Sequence, residues 1–316
     1  MIMKQKQRIS LLTIGIILAS FIGVFNSTYG QEQEEPLRWS METNKSEFYP
    51  GEPVLLTLNI RNMRAQEEKI YFGMDGIEAF SFEIHDSNGI TVAKGGKIQK
   101  FGVSRVGTLS APPGKIAQKS IVLNRWCSTL LSPGEYEVIC NIDYRLRSES
   151  KKIKNTNGFK AGPVHSLQIK VDMCIIDLDT DKFKQILTSL IKTEIKQKEQ
   201  SNREWWENLK ISRELLAFTE SKIAVPYQLK LLEVEKYTWL KRDIVNSLVK
   251  SGALEAADGL IKIIEDPSIY KEDVKGILIE GVYRLRETGK TDIINATEEF
   301  VEKYQRPAPS IGPPID

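Results

Sequence analysis

Asp177-Leu178-Asp179-Thr180-Asp181 sets carboxylates on alternate residues, the way a calcium-binding loop begins, since a hard cation gathers several oxygens from one short stretch. The remainder of that loop is missing. Its sixth position is Lys182 instead of the glycine that makes the sharp turn, and its twelfth is Thr188 instead of a bidentate glutamate. Carboxylates just ahead of an apolar-periodic segment are expected instead to cap and charge-stabilise a helix N-terminus. Gly102-Val103-Ser104-Arg105-Val106-Gly107 misses the hydrolase nucleophile elbow by one residue and lies in strand-patterned sequence, so it reads as a loop. The chain has two histidines. His85 shares parity with Ser81 and Glu83, away from the apolar face, and His165 opens a strand; neither has a serine or a metal ligand at a working spacing. No catalytic, cofactor-binding or metal-binding residue is assigned, no cofactor is expected, and the chain reads as non-enzymatic.

Composition narrows the classes further. The net charge is +2, and Lys4, Lys6 and Arg8 lie in the first ten residues. The rest is close to neutral, which removes the basic footprint of nucleic-acid binding. Met1 to Arg8 is basic, Ile9 to Phe25 is apolar, and Thr28 and Gly30 supply small residues, so residues 1–30 have the three-part form of a secretory signal peptide cleaved after Gly30. No comparable apolar run follows. The expectation is a protein without an integral span after cleavage, periplasmic or secreted.

Positioning elements come in two kinds. Over residues 36–174 apolar residues alternate with polar ones: Val54, Leu56, Leu58 and Ile60 share a face, as do Phe80, Phe82 and Ile84, then Tyr136, Val138, Cys140, Ile142 and Tyr144, and finally Leu167, Ile169 and Val171. Asn88-Gly89 supplies a hairpin turn. The pattern predicts an antiparallel β-sandwich with one buried face per strand. The run Arg145 to Lys160, carrying Arg145, Arg147, Lys151, Lys152, Lys154 and Lys160 against Glu149, reads as a solvated hairpin loop.

Phe48-Tyr49-Pro50-Gly51-Glu52-Pro53-Val54 with Leu58-Asn59-Ile60-Arg61-Asn62, then Phe80-Ser81-Phe82-Glu83-Ile84-His85-Asp86, then Leu131-Ser132-Pro133-Gly134-Glu135-Tyr136, resembles the immunoglobulin-like module of the bacterial intracellular proteinase inhibitor (BsuPI) family. The resemblance covers residues 46 to about 145. It implies the immunoglobulin-like fold and, as an alternative function, extracytoplasmic inhibition of a subtilisin-like protease. Pro133-Gly134 bears on the cysteines in two ways. A two-residue hairpin there would set Cys127 opposite Cys140 at a non-hydrogen-bonded site that permits a disulfide. A tyrosine corner at Tyr136 would instead carry the preceding chain to the other sheet and leave Cys140 a core residue.

From 176 to 305 the period becomes helical. Phe183, Ile186, Leu187, Leu190, Ile191 and Ile195 form one stripe, and helices are expected at about 203–219, 226–236, 239–250, 254–265, 270–287 and 291–304. A shift of 37 residues lays Val245 on Val282, Leu248 on Leu285 and Gly252 on Gly289. Helix pairs at this spacing resemble HEAT repeats, which implies an all-α solenoid with an extended binding face. The tail 306–316 is proline-rich and expected to be disordered. Trp205, Trp206 and Trp239 are the aromatic candidates for partner contact.

The expectation is therefore two domains, an all-β immunoglobulin-like antiparallel sandwich at 36–174 and an all-α HEAT-like solenoid at 176–305, serving as an exported, non-enzymatic protein-interaction module.

Overall fold

The computed structural model describes residues 36–74, 76–98, 106–149, 151–152, 159–160, 162–196, 203–266, 268 and 272–306. The signal-peptide reading, the Gly102 to Arg105 part of the elbow-like motif and the tail beyond Arg306 lie outside these residues.

Strands lead the chain: β1 (Leu37–Thr43), β2 (Glu47–Phe48), β3 (Leu55–Asn62), β4 (Glu68–Met74), β5 (Phe80–Asp86), β6 (Thr91–Gly95), β7 (Val106–Ala111), β8 (Ile116–Val122), β9 (Gly134–Leu146), β10 (Lys151–Lys152), β11 (Phe159–Lys160) and β12 (His165–Ile175). Helices follow: α1 (Thr180–Lys196), α2 (Arg203–Ala217), α3 (Val225–Val234), α4 (Thr238–Ser251), α5 (Leu254–Glu265), α6 (Glu272–Arg286), α7 (Thr291–Ala296) and α8 (Glu298–Lys303).

One sheet runs β1-β3-β8 and a larger one β2-β12-β9-β4-β7, with β5 and β6 added beside β9. Inward residues of both sheets, Leu56, Leu58, Ile60, Phe80, Phe82, Ile84, Val138, Cys140 and Ile142 among them, share one core. Alternation predicts these faces because a pleated strand turns successive side chains to opposite sides. Gly89, with φ 78°, closes the β5–β6 hairpin where Asn88-Gly89 was expected to. Within the basic run, Lys151 and Lys152 pair antiparallel with Lys160 and Phe159, while residues 153–158 lie outside the described residues.

Two expectations are corrected. The fold is not an all-β antiparallel sandwich followed by a separate all-α solenoid. The larger sheet is mixed, since β12 pairs in parallel with β2 through Cys174 with Glu47 and Ile175 with Phe48. Strands and helices also belong to one compact α/β unit, Leu37–Asp316. The physical cause lies in the turn after β2. Tyr49 is buried in the helical core with its ring 5.9 Å from Phe183 of α1, and Ile176 donates its N–H to Phe48 O at 2.8 Å. Second, the helix expected at 291–304 is two helices, broken at Thr297, whose backbone leaves helical geometry at φ −102° and ψ 3°. Arg306, the last residue described, makes ion pairs with α6 and with the residue that follows that helix. Its guanidinium bonds Glu280 through Nε at 3.1 Å and Nη2 at 2.9 Å and reaches Glu287 through Nη1 at 2.5 Å, over the Tyr283 ring.

The sheets and helices are joined by buried polar groups. Gly51 donates to Thr129 O at 2.8 Å and accepts from Glu220 N at 3.0 Å. Thr129 N–H donates to the Glu220 carboxylate at 3.2 Å, and Lys250 reaches its other oxygen at 3.0 Å. Asn124 braces the same corner, accepting from Val54 N at 2.8 Å and donating to Glu52 O at 3.1 Å. Buried backbone polar groups must find partners, and here each half supplies some of the other's.

Candidate protein-contact surface

Helix α4 carries the most exposed tryptophan the structure describes. Its inward stripe is Leu240, Ile244, Val245 and Leu248, all buried. Trp239 falls outside this stripe and is 41% exposed. Next to it, Tyr237 is 45% exposed, and Val234 at the end of α3 is exposed as well. The two rings lie 6.2 Å apart with planes tilted by 30°.

The α3–α4 link that presents these rings is fixed from beneath. Glu235 is buried, and its Oε1 accepts from Lys236 N at 2.7 Å and from Tyr237 N at 2.8 Å. Its other oxygen lies 3.6 Å from Arg213 Nε on α2. A buried carboxylate paired in this way satisfies two backbone N–H groups of the link just before α4 and fixes its course. Gln228 on α3 locks the level below. Its side-chain amide donates to Thr219 O at 2.8 Å and Leu216 O at 3.1 Å, and the Ser247 hydroxyl of α4 also donates to Thr219 O at 2.8 Å. The carbonyl of Leu216 near the end of α2 and that of Thr219 just beyond it are thus satisfied by side chains of α3 and α4.

Trp205 and Trp206 sit on α2, with side chains outside the described residues. Of the three tryptophans singled out from the sequence, Trp239 is the one whose exposure the structure gives. Sequence reading missed Tyr237, although Tyr237-Thr238-Trp239 shows two aromatics ahead of the apolar stripe. It also missed Glu235, whose role depends on a partner 22 positions earlier.

The cysteines are free thiols. Of the two arrangements open at Pro133-Gly134, the hairpin is not the one formed, because β9 pairs with β12, β5 and β4 and not with the segment immediately before it. Instead, Tyr136 donates its hydroxyl to Ser132 O at 2.8 Å, a tyrosine corner that sends the preceding segment across to the other sheet. Cys127 then lies against β5, with its thiol 3.5 Å from Phe82 O, while Cys140 pairs with Phe82 across the β5–β9 ladder. Burial in apolar surroundings pushes the Cys127 thiol up to about 12 and that of Cys140 upward too, so neither supplies a thiolate nucleophile.

The remaining chemistry-bearing residues serve the framework. Asp179 caps α1, accepting from Lys182 N at 3.0 Å and Asp181 N at 3.2 Å, and these bonds hold its carboxyl below the usual range. His85 lies on the polar face of β5, 3.1 Å from the Thr91 hydroxyl and 3.4 Å from Glu83. His165 stacks on Tyr144 with ring centres 5.2 Å apart.

The chain matches no family model and no curated protein. Solved structures similar to parts of it include the structural-genomics target SoR45, at 17% identity over 44% of this chain and 84% of that one with a TM-score of 0.24. The sporulation control protein Spo0M from Bacillus subtilis is 15% identical over 50% of this chain and 55% of its own, with a TM-score of 0.23. E. coli alpha-2-macroglobulin in its native conformation is 11% identical over 86% of this chain and 20% of its own, with a TM-score of 0.22. Scores of this size carry no argument about fold or function, and the resemblances to the proteinase-inhibitor module and to HEAT repeats draw no support from these three structures.

Proposed function

We propose that the protein is an exported, non-enzymatic interaction module that binds another protein at the α3–α4 corner, with Tyr237 and Trp239 as its anchors. One observation carries this reading: two large aromatic rings, each more than 40% exposed, are held side by side on a link that a buried carboxylate immobilises. Tyrosine and tryptophan supply much of the energy of protein interfaces, and a rigid presentation lowers the ordering cost of binding. The basic, apolar and small-residue order of residues 1–30 supports an extracytoplasmic setting.

Affinity capture from the extracytoplasmic fraction, with the full chain as bait, tests the reading. The double substitution Tyr237→Ala and Trp239→Ala is expected to keep the melting temperature and lose the proteins that the unsubstituted chain recovers. A variant that recovers them undiminished sinks the proposal, and a chain found unprocessed in the cytoplasm sinks its exported setting.

A further inference from the structure

The aromatic pair is flanked by cations. Lys236 precedes Tyr237 and is exposed, and Arg242 stands three residues after Trp239 on α4, the spacing that puts two side chains on one helix face. Lys230, one helical turn before Val234 on α3, is exposed too. Among the described residues, Lys236 and Arg242 are without an ion-pair partner. The acidic groups of this corner are unequally placed. Glu235 is buried and engaged by Arg213 and two backbone N–H groups, Asp243 on α4 is half-buried and has an interaction of its own, and Glu233 is exposed, against the three exposed cations Lys230, Lys236 and Arg242. The corner is therefore an apolar, aromatic centre with a cationic border.

Resting on the interaction reading above, we infer that the partner presents an acidic segment, a stretch of chain with an apolar side chain to cover Tyr237 and Trp239 and carboxylates to meet Lys236 and Arg242. Charge complementarity argues for this occupant. Arginine and lysine beside an aromatic anchor attract carboxylates and reject basic segments, since like charges brought together at an interface cost affinity. A second copy of the same corner would bring cation against cation, which disfavours self-pairing through it. A flat anionic lipid surface would meet Glu233 as well, whereas a peptide can place its carboxylates only where the cations stand.

Fluorescence polarisation with two labelled peptides tests the inference. Both carry one apolar pattern, with glutamate at every polar position of the first and lysine at every polar position of the second. The full chain is expected to bind the glutamate peptide roughly tenfold more tightly than the lysine peptide, as two exposed ion pairs allow, and raising NaCl from about 0.05 to about 0.5 M is expected to erode the preference. Lys236→Glu with Arg242→Glu is expected to abolish the preference, and Trp239→Ala to abolish binding of both peptides. No binding of the glutamate peptide overturns the inference. Equal binding of the two peptides that Trp239→Ala abolishes also overturns it but leaves the interaction reading standing, whereas binding that ignores Trp239→Ala sinks both. Binding to phosphatidylglycerol vesicles in place of the peptides, or concentration-dependent self-association in sedimentation, either one lost on Trp239→Ala, would assign the corner to lipid or to a second copy and overturn the inference.

Discussion

Gly51 and Glu220 are joined backbone to backbone: Glu220 N–H donates to Gly51 O at 3.0 Å, and a β-carbon on Gly51 would stand 2.7 Å from Glu220 O. Gly51 also has φ 75°, a left-handed conformation that suits glycine. The close approach and the backbone conformation thus select the same residue at the point where the strands meet the helices.

Gly51→Ala is expected to be costlier than Gly89→Ala. Both positions have positive φ, at 75° and 78°, but a β-carbon at Gly89 meets nothing within 4 Å. Gly89→Ala carries the conformational cost alone, about 1 kcal/mol, and Gly51→Ala adds the crowding against Glu220, for a total of about 2–4 kcal/mol. Urea unfolding midpoints of the two variants decide it.

Gln228→Leu is expected to destabilise by about 1–3 kcal/mol, because it strips donors from the buried carbonyls of Leu216 and Thr219. Thermal melts measure this. The same variant is expected to weaken partner capture, since α3 and α4, which present Tyr237 and Trp239, are tied to the end of α2 through that amide.

Native alkylation at pH 8 is expected to modify Cys174 first and to spare Cys127 and Cys140 until the protein unfolds. Cys174 is partly exposed, whereas the other two are buried and burial raises their thiols. Mass spectrometry of iodoacetamide-treated protein, with and without urea, reads the order.

Asp143 provides a pH signature. Hydrogen bonds from Lys97 and from Ser166, the latter at 2.6 Å, hold its carboxyl below the usual range in the folded state. A carboxyl depressed on folding stabilises the fold in full above its unfolded value, about 3.9, and that contribution fades as the pH falls through the folded value. Asp143→Asn should therefore be less stable than the unsubstituted chain at pH 7, with the difference closing below about pH 4. Urea midpoints across the acid range show whether the two curves converge.

Much of the local structure was legible in the residues themselves. Period-two alternation marked β3, β5, β9 and β12, and the helical period marked α2 to α6 within a few residues, because each element buries one face and its apolar spacing records that burial. The Asp179 cap, the Asn88-Gly89 hairpin and the tyrosine corner were each open to sequence reading, since their partners lie within four residues. Trp239 could also be chosen from the sequence, because it stands off the apolar stripe of its helix. The tertiary structure decided what depends on distant partners. The two-residue β2 is too short to show a period, so its parallel pairing with β12, which makes the sheet mixed, left no mark in the pattern. The joint of Gly51, Thr129 and Glu220 is built largely from backbone groups, which every residue type carries, and only folding brings them to one corner. The exposure of Tyr237 likewise follows from Glu235, a residue whose position predicts a surface charge until Arg213 of another helix meets it.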